Sequence, residues 1–252
     1  MRRILMTGAS GDLAQAIINR LGQSDQIIAV GRSQERLAQL YGQKSNVTCY
    51  ALDITDQQAV EIFLAQLLET YGNIDMLINN AGFGQFKSFE AFDEAEIKEM
   101  FEVNALASIR FCRLLGQHMA EQGQGHLVNI ASMAGLIATS KSTIYSATKF
   151  ALIGFSNALR LELADKGVYV TTVNPGPIVT KFFDQADPEG HYLQQVKAYA
   201  LTPEQVADKI VKCLGKNKRE LNLPWLLALA HKLYTLFPRL ADYLAGRTFN
   251  YK

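Results

Sequence analysis

Tyr145 and Lys149 carry the clearest chemical signal in this chain of 252 residues. They lie four residues apart near the start of a predicted helix that runs to about Asp165, so both side chains share one helix face, about 5–6 Å apart at Cβ. A tyrosine ordinarily titrates at about pH 10, and a neighbouring lysine cation favours the phenolate and lowers that pKa. The pair is therefore suited to proton transfer at neutral pH, although two exposed helix residues without a role would show the same spacing.

Two polar residues upstream strengthen this interpretation. Ser132 follows a predicted strand, 126–131, within the segment NIASMAG, at the edge of the sheet where open α/β folds bind ligands. Its hydroxyl could donate to a substrate oxygen as negative charge builds in the transition state. Asn104 is a poor helix former inside an otherwise good helical segment, 94–119, and we interpret its amide as bracing the lysine through water. Each residue alone could be structural; their joint occurrence indicates a site.

A glycine-containing turn, TGASGDLA over Thr7–Ala14, connects the first predicted strand to the first predicted helix. Such a turn presents free backbone N–H groups and the positive end of the helix dipole to a pyrophosphate. Glycine also allows the backbone to approach the phosphates closely. A plain strand–helix turn has the same pattern, so we expect, as one of two alternatives, that Gly8, Ser10, Asp12 and Leu13 contact a dinucleotide.

The second predicted strand ends in Val30-Gly31-Arg32-Ser33. A dinucleotide site for NAD would call for an Asp or Glu here to accept from the ribose 2′-hydroxyl, and none is present. The guanidinium of Arg32 could instead hold the 2′-phosphate of NADP with charge-assisted hydrogen bonds, with Ser33 beside it. The alternative is a solvated arginine at the start of a helix. We favour NADP(H).

The elements that must position these residues alternate regularly along the chain. Short apolar runs are separated by helical patterns of three or more turns, which predicts a parallel sheet covered on both faces. The fold class is therefore α/β: a Rossmann-like doubly wound parallel sheet flanked by helices, with an apolar helical tail. The predicted strands are 4–6, 27–30, 47–52, 75–79, 126–131 and 169–173.

Composition excludes several classes of protein. Lysine and arginine number 25 against 24 acidic residues, so no net field favours nucleic acid, and none is expected as a partner. Cys49, Cys112 and Cys213 form no CxxC motif and leave one thiol unpaired, which suits a reducing, cytoplasmic location; we expect no metal site. No stretch reaches the roughly 18 apolar residues of a spanning helix. We expect one catalytic domain, 1–223, followed by a tail, 224–252.

At this point the chain resembles the short-chain dehydrogenase/reductase family, in the branch whose chains have about this length. The resemblance covers about residues 3–223. Beyond the glycine turn and the residues above, the matching motifs are Asp53 after the third strand, Asn79-Asn80-Ala81-Gly82 after the fourth, and Asn174-Pro175-Gly176 through Thr180 after the sixth. A serine thirteen residues before YxxxK, together with NNAG, is a specific combination.

The resemblance implies a function and a set of residue roles. It implies an oxidoreductase that transfers a hydride between NADP(H) and a carbonyl or alcohol substrate. The implied catalytic tetrad is Asn104, Ser132, Tyr145 and Lys149, with Lys149 also binding the nicotinamide ribose. The implied cofactor contacts, from adenine to nicotinamide, are Asp53 and Ile54, then Asn80, Ala81 and Gly82, and lastly Pro175, Gly176, Ile178 and Thr180. A non-catalytic NADP(H)-binding regulatory or scaffold protein is the alternative.

One motif departs from the family pattern TGxxxGxG. Its second and third glycine positions are occupied by Asp12 and Ala14, with a glycine one place earlier at Gly11. A carboxylate near a pyrophosphate is electrostatically unfavourable. Alternatively, Asp12 caps the first helix and points away from the phosphates.

Two segments interrupt the strand–helix alternation. Residues 175–200 contain prolines, glycines and aromatic residues and are predicted to form a mobile flap; Phe83, Phe86, Phe182, Phe183, His191 and Tyr192 indicate either an apolar substrate or simple packing of this flap. The tail is rich in apolar residues, so we expect something to cover them. A partner subunit in a homo-oligomer is the first choice, and a membrane surface, with Lys232, Arg239 and Arg247 near lipid headgroups, is the second. The apolar tail residues are Trp225, Leu226, Leu227, Leu229, Leu233, Leu236, Phe237, Leu240 and Leu244.

Overall fold

Seven parallel strands form one sheet in the computed structural model, which describes residues 1–188, 190, 200–239 and 243. Their spatial order is β3-β2-β1-β4-β5-β6-β7, so the order reverses between β1 and β4. Open α/β sheets bind ligands in the crevice at the carboxyl ends of strands beside such a reversal. The predicted doubly wound sheet is confirmed. The strands are β1 (Arg3–Met6), β2 (Gln26–Gly31), β3 (Val47–Ala51), β4 (Met76–Asn79), β5 (Gly125–Ile130), β6 (Val168–Pro175) and β7 (Glu220–Leu223).

Helices cover both faces of the sheet. Helices α1, α2 and α8 pack through one apolar cluster that includes Leu13, Leu37 and Ile210, and helices α3, α5 and α6 pack through another that includes Leu64 and Phe111. Apolar strand residues such as those of β4 are buried throughout, as expected between two helical layers. The helices are α1 (Asp12–Ile18), α2 (Gln34–Tyr41), α3 (Gln57–Tyr71), α4 (Glu94–Phe101), α5 (Ala107–Gln122), α6 (Thr143–Glu162), α7 (Phe182–Ala186), α8 (Pro203–Cys213) and α9 (Trp225–Leu236).

Local sequence signals explain where several helices begin. Asp56 caps α3 by accepting a hydrogen bond from the Ala59 N–H. Helices α4 and α8 begin with reciprocal capping boxes, formed by Asp93 with Glu96 and by Thr202 with Gln205. Each box satisfies backbone donors that the first helical turn leaves unpaired. These caps fix where the three helices begin.

The structure corrects the sequence-based elements in three places. Strand β7 and helix α8 were not predicted, although both complete the sheet and its cover. The predicted continuous helix 94–119 is divided into α4 and α5 by a π-helical turn, Glu102–Leu106. A π-helical turn inserts one residue into the helical repeat and is frequent at functional sites.

The buried side chain of His126 on β5 connects the strands at the amino edge of the sheet. Its Nδ1 accepts a hydrogen bond of 3.0 Å from the Gly215 N–H, so Nε2 carries the proton and donates to Thr171 Oγ1 at 2.8 Å. The Thr171 hydroxyl in turn donates to the Lys218 carbonyl. Burial lowers the pKa of His126 to about 4, so the imidazole is neutral at pH 7.

Candidate active site

A cavity of about 960 Å³ opens at the carboxyl edge of the sheet. It runs from the glycine turn, past the ends of β4, β5 and β6, to the start of α6 and the first turns of α9. This is the place that the reversal of strand order predicts. The residues predicted from the sequence that line it are Ser10, Asp12, Leu13, Asn80, Gly82, Ser132, Tyr145, Lys149, Pro175, Gly176, Ile178 and Thr180.

Helix α6 places Tyr145 and Lys149 side by side on its buried face. The Lys149 ammonium lies 5.7 Å from the centre of the Tyr145 ring and donates a hydrogen bond of 3.1 Å to the Ile130 carbonyl at the end of β5. The side chain of Lys149 is 4% exposed and that of Tyr145 8%. The spacing of four residues therefore brings a phenol and a cation together inside the cavity and not on an exposed surface.

The pKa values of the pair differ from the sequence-based expectation. Burial raises the pKa of Tyr145 to about 12, with a hydrogen bond from Ser132 acting in the opposite direction. Burial also lowers the pKa of Lys149 to about 8. The expectation of a lowered tyrosine pKa is wrong for this structure, because desolvation of the enclosed ring outweighs the one interaction that lowers the pKa, which comes from Ser132. At pH 7 the phenol is protonated and the lysine is largely charged.

Ser132 lies where β5 turns toward α6, opposite the phenol. It begins a short 3₁₀ turn, Met133–Gly135, and its hydroxyl oxygen accepts a hydrogen bond of 3.1 Å from the Ala134 N–H. The same hydroxyl donates to the Pro175 carbonyl at 3.5 Å, and its presence lowers the pKa of Tyr145 against the larger effect of burial. Ser132 and Tyr145 both line the cavity.

Asn104 lies in the π-helical turn between α4 and α5 and is fully buried. Its Oδ1 accepts from the Phe83 N–H at 2.9 Å, and its Nδ2 donates to the Phe83 carbonyl at 2.8 Å and to Thr148 Oγ1 at 3.1 Å. The amide therefore clamps the segment after β4 against α6. A Cβ at Gly82 would lie 3.1 Å from Asn104 Oδ1 and 3.3 Å from Lys149 Nζ, so both groups converge on this glycine.

Aromatic rings enclose the phenol on one side of the cavity. The rings of Phe86 and Phe182 both lie 5.7 Å from that of Tyr145, measured between centroids. A Cβ at Gly84 would lie 2.8 Å from Phe182 Cζ and 3.2 Å from Tyr145 Cδ2, so a larger residue here would displace one of these rings. This apolar wall excludes water and is the cause of the raised pKa.

The glycine turn meets the requirements for binding a pyrophosphate. Gly11 is the N-cap of α1 and offers no side chain, so the backbone N–H groups of the first turn remain free for an anion. Gly8 has φ +64°, and a Cβ there would come within 2.7 Å of the Ala81 backbone. The turn therefore packs directly on the segment after β4, which agrees with dinucleotide binding.

Hydrogen bonds join the glycine turn to the NNAG segment. Thr7 Oγ1 accepts from the N–H groups of Asn80 at 3.1 Å and Ala81 at 3.2 Å. The Asn80 side chain donates to the Gly8 carbonyl at 3.1 Å. Gly8 and Ala81 do not line the cavity. They pack against each other beneath the residues that do.

Asp12 does not cap α1, contrary to one of the two expectations. The N-cap is Gly11, and Asp12 Oδ2 instead accepts a hydrogen bond of 2.8 Å from the Lys181 N–H. This carboxylate connects the glycine turn to the segment that follows β6. Ile178 of that segment also forms a β-bridge with Leu201, so the described part of the segment has two fixed contacts, one through Lys181 and one through Ile178.

The residues predicted at the adenine end lie outside the cavity lining. Arg32 and Ser33 are exposed, and Ser33 caps α2 by accepting from the Arg36 N–H. Hydrogen bonds from Thr55 and the nearby Arg32 guanidinium hold the pKa of Asp53 below its usual range. Arg32, Ser33, Asp53 and Ile54 do not line the cavity, whereas Arg36 does. Arg36, in the first turn of α2, was missed by the sequence analysis.

Helix α9, within the predicted tail, forms part of the cavity wall. Leu226, Leu227 and Ala230 line the cavity, and the His231 ring is hydrogen-bonded to the Leu136 carbonyl at 3.2 Å. The sequence assigned these residues only to a covered outer surface and missed this role. Of the flap and tail residues named above, His191, Tyr192, Leu240, Leu244 and Arg247 lie outside the described residues.

Comparisons with known proteins agree with this architecture. The family model described as short chain dehydrogenase matches residues 2–190. Ketoacyl reductase HetN of Nostoc sp. strain PCC 7120 is 34% identical over 226 residues, which cover 86% of this chain and 76% of that protein. An uncharacterized oxidoreductase of Staphylococcus aureus strain USA300 is 30% identical, with coverage of 85% and 91%.

Solved structures show the same fold. A short-chain dehydrogenase from Streptomyces avermitilis superposes with a TM-score of 0.84 at 28% identity, covering 96% of this chain and 97% of that one. The closed form of a serine dehydrogenase complexed with NADP⁺ has a TM-score of 0.78 at 30% identity, with coverage of 87% and 94%.

Proposed function

This chain belongs to the short-chain dehydrogenase/reductase family and is an oxidoreductase of that family, and on that premise we propose that it transfers a hydride between NADP(H) and a carbonyl or alcohol, with Tyr145 exchanging a proton with the substrate oxygen. One observation carries the proposal. A buried, protonated phenol, adjacent to the Lys149 cation, lies in the same cavity as Ser132 and the glycine turn.

The residues present suit a dinucleotide, and the nicotinamide supplies or accepts the hydride when it is bound. The free N–H groups at the start of α1 would hold the pyrophosphate. Arg32 and Arg36 would hold a 2′-phosphate, because β2 ends without the carboxylate that a free ribose hydroxyl requires. The likeness to a dehydrogenase complexed with NADP⁺ supports this cofactor.

In the reductive direction, Tyr145 donates its proton to the carbonyl oxygen. A pKa of about 12 keeps the phenol protonated at neutral pH. As hydride reaches the carbonyl carbon, the substrate oxygen becomes negatively charged and accepts the proton from the phenol. The Ser132 hydroxyl donates a second hydrogen bond to the same oxygen and stabilises its charge. The Lys149 cation, with a pKa of about 8, stabilises the phenolate that remains. Oxidation of an alcohol follows the same path in reverse.

Asn104 acts as a positioning residue in this scheme. It contacts the backbone of Phe83 and the hydroxyl of Thr148, and not the hydroxyl groups of Tyr145 and Ser132. Its role is to hold the segment after β4 against α6, so that Gly82 stays beside the Lys149 ammonium.

We extend the proposal to an apolar substrate. The substrate side of the cavity is lined by Phe83, Phe86, Phe182, Leu226 and Leu227. Apolar walls with a few convergent polar groups are typical of sites for small apolar ligands. The relative that is 34% identical bears the name ketoacyl reductase, which agrees with a carbonyl on an apolar chain.

A two-step assay tests the function. Melting temperatures with NADPH and with NADH report cofactor preference, and loss of nicotinamide absorbance reports turnover across ketones and ketoacyl esters of increasing chain length. We expect a larger melting shift with NADPH, and turnover that rises with chain length. An equal response to NADH would contradict the 2′-phosphate site. NADPH binding without turnover of any carbonyl would support the non-catalytic alternative instead.

A further inference from the structure

Helix α9 has an apolar face that points away from its own protein. Trp225, Leu229, Leu233 and Leu236 recur at intervals of four, four and three residues, so they form one stripe along the helix. They are 73%, 46%, 51% and 70% exposed. The opposite face packs on the cavity and is fixed by the hydrogen bond from His231 to Leu136. The helix is therefore anchored with an apolar stripe outward.

The charged side chains in α9 and just after it, Lys232 and Arg239, are both basic. Residues 221–241 contain no aspartate or glutamate, whereas Lys232 and Arg239 are both exposed. Lys232 lies at the rim of the stripe, since it falls three residues after Leu229 and one before Leu233. An apolar stripe bordered by lysine and arginine is the pattern of helices that lie in the headgroup region of anionic membranes.

The size of the face favours a lipid surface over a second protein. Twelve helical residues make a surface about 18 Å long and about 10 Å wide, which is far below the roughly 800 Å² that each partner contributes to a stable protein interface. The same length is too short to span a bilayer, and no helix in the described part of the chain is long and apolar enough to do so. A helix lying flat on the lipid needs neither a large area nor a spanning length.

We propose that α9 docks this protein on an anionic lipid surface and places the mouth of the cavity against the bilayer. Leu226 joins the two regions, because it lines the cavity and is also 44% exposed at the edge of the outer stripe. An apolar substrate dissolved in the bilayer would reach the site past Leu226 and Leu227 of α9, which line the cavity. Docking does not depend on hydride transfer, so it is testable without a substrate.

The chain offers its own optical probe. It contains a single tryptophan, Trp225, at the start of the stripe. Vesicles of equal parts phosphatidylglycerol and phosphatidylcholine are titrated into the protein while tryptophan emission is recorded, and flotation of the protein with the vesicles is measured in parallel. We expect a blue shift and flotation with these vesicles at low salt. Both should weaken at high salt and with phosphatidylcholine alone.

Two double variants distinguish docking through α9 from nonspecific adsorption to lipid. The double variant Leu229→Gln/Leu233→Gln removes the middle of the stripe without touching the cavity, and should weaken vesicle binding by about 10- to 100-fold. Ile62→Gln/Leu161→Gln removes two exposed apolar side chains, 51% and 76% exposed, from α3 and α6 and should leave binding unchanged. Both variants should keep the wild-type melting temperature and its shift with NADPH.

Three results would overturn the proposal. The first is no emission shift and no flotation with anionic vesicles. The second is equal loss of binding in the α9 variant and in the α3/α6 control. The third is a blue shift of Trp225 on concentrating the lipid-free protein, together with a dimer mass that Leu229→Gln/Leu233→Gln abolishes, because a second copy would then cover the stripe.

Discussion

Replacing Gly135 with alanine tests whether close packing positions the proposed catalytic groups. Gly135 ends the 3₁₀ turn that begins at Ser132 and lies against the backbone of α6. A Cβ there would be 2.7 Å from Ile153 Cδ1 and 2.8 Å from the carbonyl carbon and oxygen of Lys149. The backbone atoms cannot rotate away, so either the Ser132 turn or the helical turn that carries Lys149 must shift.

The expected magnitude follows from these contacts. Inserting a methyl group into a packed site usually costs about 1–3 kcal/mol of folding free energy. A displacement of about 1 Å in a catalytic group can lower the rate about 100-fold. We therefore expect Gly135→Ala to lower the urea midpoint and to lower kcat for carbonyl reduction by at least about tenfold. NADPH affinity should change less, because the glycine turn follows β1, whereas the Ser132 turn follows β5, two strands away in the sheet.

Gly154→Ala is the matched control. Gly154 lies in α6, only five residues from Lys149, and a Cβ there meets no atom within 4 Å. Alanine in a helix interior is more favourable than glycine, so this variant should be more stable by about 0.5–1 kcal/mol, with normal kcat. Normal kcat and stability in Gly135→Ala would refute the idea that this contact holds Ser132 and Lys149 in place.

Three further predictions concern charge. The pKa of His126 falls from 6.5 in the unfolded chain to about 4 in the folded one, so the neutral imidazole contributes its full stability above pH 6.5 and loses it as the pH falls toward 4. Urea unfolding should therefore show that the free energy of unfolding of wild type and that of His126→Gln differ by about 2–3 kcal/mol less at pH 4.5 than at pH 7.5. A difference that stays constant would contradict the buried neutral imidazole. Burial lowers the pKa of Lys149 to about 8, so kcat/KM for reduction should decline as the pH rises above about 8, and a flat profile to pH 10 would argue against a required cation. Asp12→Gly should change the Kd for NADPH less than Arg32→Ala does, because Asp12 is engaged by the Lys181 N–H; fluorescence titrations giving the reverse order would show that the carboxylate faces the phosphates.

The sequence predicted best what depends on local pattern. Six of the seven described strands appear within a residue or two of their predicted positions, because buried parallel strands are short apolar runs between helical repeats. Strand β7 was missed because Glu220-Leu221-Asn222-Leu223 is short and half polar. Helix α8 carried a readable signal, since Thr202 and Gln205 have the spacing of a capping box.

The sequence predicted several of the residues that line the cavity but not how the cavity shifts their pKa values. The spacing of Tyr145 and Lys149 placed both residues correctly, yet the direction of the tyrosine pKa depends on Phe86 and Phe182, which come from distant segments. Likewise, sequence periodicity showed that the tail is apolar but not that Leu226 faces the cavity. Contacts between elements far apart in the chain decide burial, and burial decides the pKa.

The most direct test of the proposed mechanism is to remove the hydroxyl of Tyr145, the proposed proton donor. Tyr145→Phe keeps the ring and its packing and removes only the hydroxyl. Turnover of a carbonyl substrate should fall by about 10²- to 10⁴-fold, while the Kd for NADPH, measured by quenching of tryptophan emission, stays within about threefold of wild type. Ordinary turnover in this variant would show that another group delivers the proton, and would contradict the account.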